Sequence, residues 1–383
     1  MKLKIIGIAI IIAAIITLIY LYLNKPNSQT MTALLINKEN FDTIIGGKKV
    51  QLFTLKNEGG ITVQLTNYGG HLVSIITPDK DGNYADILLG YKTIDGYVND
   101  KMFQGCIVGP FANRIAKGKF SIDGIDYNLV INDGENHLHS APDGFHKEVF
   151  EAKQEGNRVI MTTNVPHMTS GFPGNKVVTL KYELLSDNKL TVIFTMTTDK
   201  KTICNMTIHP YFNLAGEGSG PVLNHLIRIF ADSITPVDAG LIPTGDIMYV
   251  ENTPFDLRRL TSIVKMIDDT SNPQIKYGFG YDHNWVLSKE KGTFGIAVRV
   301  VEPVSKRYLE VYTNQPGIQF YTGNFMDGKS IGKAGKPYNH RNALALEPQK
   351  YPDSPNHPNF PSTILDPGQV YEHISQFVFG VEK

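Results

Sequence analysis

The sequence has almost no excess of charge of either sign: 37 Lys and Arg stand against 37 Asp and Glu over 383 residues. Without a basic excess there is no field to gather nucleic acid or an acidic surface, so the balance excludes a nucleic-acid partner and favours a small neutral ligand. Cysteine is scarce too. Cys106 and Cys204 are the only two, too few for a disulfide framework, and each sits in an apolar strand-like context expected to bury a free thiol. Long helical periodicity is nearly absent, and only LTSIVKMI, residues 260 to 267, suggests a turn or two of helix. A P-loop, a dinucleotide fingerprint and a G-x-S-x-G elbow are all missing, which removes the commonest signatures of nucleotide, NAD and serine-hydrolase chemistry.

What is present begins with a contrast. Lys2 and Lys4 precede IIGIAIIIAAIITLIYLYL, residues 5 to 23, an uninterrupted apolar run followed by Asn24, Lys25 and Pro26. A helix needs roughly 20 apolar residues to cross a bilayer, and the leading lysines favour a cytoplasmic start. The expectation is a signal-anchor over residues 1–30, membrane contact through that one helix, and residues 31–383 as a non-cytoplasmic catalytic domain. A cleaved signal peptide with secretion is the alternative.

From there on the chain reads as strand after strand. GITVQLTNYGGHLVSIITP, NKVVTLKYELL, KLTVIFTMTT, HLIRIFADSITP, FGIAVRVVEP and YLEVYTNQPGIQFYTG are each bounded by Gly, Pro, Asn or Asp turns. The expected fold is all-β, a large antiparallel β-sandwich. Oligomeric state is not set by this pattern.

Four segments carry polar groups that a sheet core would not select. In GPFANRIAKGKF (109–120), Asn113 and Arg114 lie among apolar residues and glycine, and a guanidinium there can hold two oxygens at once. In NDGENHLHSAPDGFHKEVFEA (132–152), His137 and His139 would face one way in a strand. With His146 they invite a metal reading, against which stands a single histidine hydrogen bonding in a polar pocket. In NMTIHPYFNLAG (205–216), Pro210 bars helical geometry at His209 and ends or bends the strand at the ring, a good place for proton transfer. The sequon at Asn205 falls in this apolar region and is expected to be unused. Lastly, GYDHNWVL places Asp282 among aromatics in a glycine-rich loop, and ALALEPQ sets Glu347 in an apolar alternation, where burial should raise its pKa. Either carboxylate has a structural alternative as partner of Arg114 or Arg341.

Taken in order, TNYGGHLVSIITPDKDGNYADILLGY, ANRIAKGKF, NHLH with GFHKEVFEA, HPYFNLAG, IPTGDI with TPFDLR, GYDHNWVL, QPGIQFYTGN and LEPQKYPDSPNHPNFPSTILDPGQVY resemble the aldose 1-epimerase, or galactose mutarotase, family over roughly residues 40 to 380. The resemblance implies that family's supersandwich fold and its activity on free aldohexoses such as galactose and glucose. It implies Glu347 as general base and His209 as general acid, with Asn113, Arg114, His139, Asp282 and Gln319 holding sugar hydroxyls, and no metal or cofactor. Two departures stand out. Gly109-Pro110 replaces the family's usual Gly-Arg, and Ser140-Ala141 follows His139 where Gly-Gly is common, expected to narrow the sugar pocket.

The chemistry fits those residue types. Opening a hemiacetal removes the proton on O1 while the ring oxygen O5 gains one, so an acid and a base are needed together. Two rivals use the same features: a glycoside hydrolase with Asp282 and Glu347 as its two acids, or a non-catalytic sugar-binding module stacking sugars on Trp285 or tyrosines.

Overall fold

The computed structural model describes residues 28–382. Their largest sheet is antiparallel, in the order Glu151–Glu155, Arg158–Val165, Lys176–Leu184, Lys189–Thr198, Tyr371–Val381, Arg307–Thr313, Gly295–Val301, Leu226–Ile229 and Thr261–Ser262. The strand Lys189–Thr198 shows why it forms. Leu190, Val192, Phe194 and Met196 are buried on one face, while Thr191, Ile193 and Thr195 are half-buried on the other. Period two with β-branched residues suits a pleated surface covered on one side.

A second sheet runs Tyr211–Phe212, Leu344–Gln349, Gly317–Tyr321, Asp282–Leu287, Ala231–Thr235 and Met248–Tyr249. A third contains Leu52–Lys56, Thr62–Thr66, Leu72–Pro78 and Tyr84–Asp86. Val63, Leu180, Phe194, Trp285, Phe320 and Leu346 belong to one apolar cluster, so all three sheets meet over a shared core. Each such side chain contributes about 1.5–3 kcal/mol by leaving water.

HLIRIFADSITP, expected as one strand, is two. Leu226–Ile229 lies in the nine-stranded sheet and Ala231–Thr235 in the six-stranded one, with the chain passing between them at Phe230. YLEVYTNQPGIQFYTG divides likewise into Arg307–Thr313 and Gly317–Tyr321. The helix expected in LTSIVKMI shrinks to a 3-10 turn at Ile263–Lys265, after a two-residue strand. The short helix Pro273–Gly278 was not expected, although Asn272 caps it by accepting from Gln274 N and proline opens it. Trp285 is fully buried and its indole N–H donates to Phe255 O at 3.3 Å, so it packs the core and offers no sugar platform.

One buried ion pair ties the third sheet to a distant loop. Lys333 Nζ donates to Asp86 Oδ2 and to Val73 O, both at 2.6 Å, and Asp86 Oδ1 accepts from Ile75 N and Leu88 N at 3.1 Å.

The fold class and localisation expected from residues 5 to 23 require correction. No helix among the described residues is long and apolar enough to cross a membrane. Their longest α-helix, Ser28–Leu34, has seven residues and spans roughly 10 Å at 1.5 Å per residue, against about 30 Å of hydrocarbon. The apolar run itself, and the cleaved-signal alternative with it, lies outside the described residues. The transmembrane helix, the membrane contact and the anchored non-cytoplasmic placement are therefore withdrawn.

Candidate active site

The strands Leu344–Gln349 and Gly317–Tyr321 of the six-stranded sheet are buried on both faces, and the two faces do different things. Along Leu344–Gln349, Leu344 and Leu346 point into the core, while Ala345, Glu347 and Gln349 take the opposite face. The register then builds a polar wall. Thr235, Asn284, Gln319 and Glu347 stand side by side across four strands, and in the next row Asp282, Tyr321, Ala345 and Tyr211 do the same. Over this wall opens a cavity of about 1500 Å³, lined by Asn113, Arg114, His139, His209, Asp282 and Glu347, among others.

His209 reaches the wall from the side. The two-residue strand Thr207–Ile208 pairs with Ile107–Val108, and Thr207 Oγ1 donates to Pro348 O at 2.7 Å. The His209 backbone is held at both ends, its N–H by Cys106 O at 3.0 Å and its carbonyl by Gly105 N at 2.8 Å. Pro210 then directs the chain into Tyr211, whose ring lies 4.8 Å from the imidazole. The outcome is His209 Nε2 at 3.3 Å from Glu347 Oε1, both residues nearly solvent-free. Glu347 Oε2 has no hydrogen-bond partner among the described residues. Burial raises Glu347 well above the usual carboxylate range, Asp282 adds to this and Arg114 opposes it. Burial lowers His209 to about 4.

His139 meets His209 edge to face at 5.4 Å. It does so from a left-handed backbone, φ 57°, which breaks the alternation assumed for the H-x-H pair. His137 turns away, its Nδ1 2.7 Å from Val130 O, so the expected common face of the two rings does not exist. His146 does line the cavity. Asn113 sets the ring of His139: Asn113 N donates to His139 Nδ1 at 3.1 Å, and His139 N donates back to Asn113 O at 3.2 Å. With Nδ1 accepting, the network assigns the proton to Nε2, and burial with the neighbouring His209 keeps His139 well below its ordinary pKa.

Arg114 bridges two carboxylates. Its Nε donates to Asp133 Oδ2 at 2.7 Å and its Nη1 lies 3.6 Å from Asp282 Oδ2. Asp282 opens its strand instead of sitting in a loop, and Gln319 Nε2 donates to its Oδ1 at 2.7 Å. Gln319 thus braces Asp282 from behind and does not itself line the cavity. Burial raises Asp282, offset by Arg114 and Gln319. Arg341 belongs elsewhere, paired with Asp268 at 2.7 Å.

Of the two departures, Ser140 does not narrow the pocket. Its hydroxyl bonds both Phe111 N and Phe111 O at 2.9 Å, beneath the surface, and only Ala141 reaches the lining. Asn205 of the sequon is fully buried, its amide donating to Lys350 O and accepting from Lys350 N. Two participants escaped the sequence reading: Asp133, hidden in an ordinary Asp-Gly turn, and Phe103, whose ring lies 4.8 Å from His139 and 5.0 Å from His146. A metal, if one were held, would find His139, His209 and Glu347 presenting ligand atoms within 4.8 Å of one another.

A model of the aldose 1-epimerase family matches residues 51–378. The chain belongs to the aldose 1-epimerase family. It is 39% identical over 342 residues to galactose mutarotase of Bos taurus, covering 89% of this chain and 97% of that one. To the aldose 1-epimerase of Escherichia coli K12 it is 36% identical over 340 residues, 88% of this chain and 97% of the other. Among solved structures, an aldose epimerase homologue from C. elegans superimposes with a TM-score of 0.81 at 29% identity, over 87% of this chain and all of that one. As a member of the family the chain is an isomerase, a mutarotase that interconverts the α and β anomers of an aldose.

Proposed function

We propose that residues 31–383 act on free aldohexoses, D-galactose and D-glucose among them, with Glu347 as general base and His209 as general acid. The observation that carries this reading is the 3.3 Å contact between a buried imidazole and a buried carboxyl at the floor of the cavity. Glu347 takes the proton from O1, the C1–O5 bond breaks as C1=O1 forms, and His209 delivers a proton to O5. Rotation about C1–C2 and the reverse transfers close the ring as either anomer. The sugar exchanges only protons with the protein, and its own electrons make and break the C1–O5 bond, so the mechanism calls on no metal or cofactor.

The two pKa displacements bear on how the pair works. Both mean that burial favours the uncharged arrangement, with the shared proton on the carboxyl. A bound sugar replaces that lost solvation with hydroxyl hydrogen bonds, which favour the carboxylate and imidazolium needed for the forward step. Arg114, His139 and Asp282 take the remaining hydroxyls, with Asn113 and Gln319 holding His139 and Asp282 in place. Asp282 is engaged by Arg114 and Gln319, which suits a hydroxyl acceptor better than the second acid of a hydrolase.

Polarimetry of freshly dissolved α-D-galactose and α-D-glucose tests this. The enzyme should speed the approach to the same final rotation, and Glu347→Gln should lower kcat by about 10²- to 10⁴-fold, the usual worth of one proton-transfer group. Near-native turnover in that variant would remove Glu347 from the mechanism.

A further inference from the structure

The segment LEPQKYPDSPNHP carries Glu347 and, six residues further on, a second buried carboxylate that the proton transfers do not use. Asp353 is 2% exposed, and its backbone is left-handed, φ 54°. A buried carboxylate is a costly choice unless its oxygens meet partners, and both oxygens of Asp353 do. Oδ1 accepts from Ala116 N at 2.9 Å and from Asn356 Nδ2 at 2.6 Å, and Oδ2 lies 3.2 Å from His357 Nε2. Burial raises the Asp353 carboxyl against the pull of these same partners.

What Asp353 holds is the strand that bears Arg114. That strand, Arg114–Ile115, has only two residues, and His137–Leu138 pairs with one of its edges. On the other edge Asp353 N donates to Arg114 O at 2.9 Å, while Asp353 Oδ1 takes the Ala116 amide. Residues two apart in a strand turn their backbone groups the same way, so Asp353 stands in for a neighbouring strand with one backbone donor and one side-chain acceptor. The stretch between Glu347 and Asp353 is fastened to the general acid as well. Pro348 O accepts from Thr207 Oγ1 at 2.7 Å, and the Asn205 side chain bonds Lys350 N at 2.8 Å and Lys350 O at 3.2 Å. Residues 347 to 353 thus run from the base, past the strand that leads to His209, to the strand of Arg114.

We propose that Asp353 is a positioning residue for the sugar reaction: it fixes the backbone of residues 114 to 116 so that the Arg114 guanidinium meets the sugar hydroxyls in register with Glu347. Asp353 does not line the cavity, so it touches no substrate and acts through Arg114. The inference rests on the reading of Arg114 as a sugar-binding group.

The left-handed backbone selects the variants, because glycine and asparagine both tolerate it. Asp353→Gly removes both oxygens and leaves the backbone bond to Arg114 in place, whereas Asp353→Asn keeps an acceptor for Ala116 N. With KM and kcat for D-galactose read by polarimetry, Asp353→Gly should raise KM about tenfold, the effect of a misplaced charged hydrogen-bond donor, and leave kcat within about twofold. Asp353→Asn should bring KM back to within about twofold of the parent. In an Arg114→Ala background, whose own KM is already raised, Asp353→Gly should add no further rise. Asn356→Ala, at an exposed position, removes the other donor to Oδ1 and should raise KM about threefold, which decides the matter even where Asp353→Gly fails to fold. Thermal midpoints identify the folded variants. An unchanged KM in the folded variants, a kcat that falls as far as KM rises, or an undiminished further loss on top of Arg114→Ala would each overturn the role of Asp353. An unchanged KM in Arg114→Ala alone would overturn the reading of Arg114 as a sugar-binding group, and this inference with it.

Discussion

At the scale of single residues, the proposed mechanism makes the protonation of His209 and Glu347 decide the pH behaviour. In that mechanism turnover needs one proton on the pair. At low pH a second proton reaches the imidazole, which burial holds down near 4. At high pH the last proton leaves the carboxyl, which burial holds well above its ordinary range. The profile of kcat/KM is therefore expected to be a broad bell, with an acid limb near pH 4 and an alkaline limb displaced upward. An acid limb at pH 6.5, the ordinary imidazole value, would contradict this account. Most of these residues were legible because each is a chemically expensive choice for a sheet core: an arginine, a carboxylate, a histidine before proline. Asp133 was not, because an aspartate before glycine is also what any turn selects. The turning of His137 away from His139 was not legible either, since it depends on a left-handed φ at a non-glycine residue.

Elements carry the next level of explanation. Alternation named the strands well, but it could not say which sheet a strand joins. HLIRIFADSITP reads as one run because Leu226–Ile229 and Ala231–Thr235 are both apolar, and only tertiary pairing divides it at Phe230. The helix Pro273–Gly278 was readable from its Asn-Pro start yet too short for any periodicity to announce. The Lys333–Asp86 pair depends on pairing across the fold, beyond any local pattern. Lys333→Met should leave the buried Asp86 carboxylate without its counter-charge, held only by Ser74 Oγ and the Ile75 and Leu88 amides, and cost about 3–5 kcal/mol, read as a lowered denaturation midpoint at unchanged m-value. Loss of less than about 1 kcal/mol would mean that water reaches Asp86 readily.

Across the whole molecule, the histidines form a class. Burial lowers His71, His209 and His225 to about 4, and His146, His283 and His373 to about 3, from an ordinary 6.5. Below pH 6.5 the unfolded chain takes up these protons and the folded chain does not, so stability falls as pH drops and recovers as it rises through the window from about 4 to 6.5. Unfolding midpoints measured from pH 7.5 to 4.5 should decline with a slope of several protons, and a flat profile over that window would show that these rings are solvated. No helix among the described residues is long and apolar enough to cross a membrane, and residues 5 to 23 lie outside them. The strand Leu344–Gln349 has a wider consequence. Leu344 and Leu346 fill the core while Glu347, on the opposite face, lines the cavity, so adjacent residues answer to different selective pressures. In a lineage that abandoned the reaction, Glu347 would be released to drift while Leu344 and Leu346 on either side of Ala345 stayed apolar, leaving loss of catalysis written at one position of an otherwise constant strand.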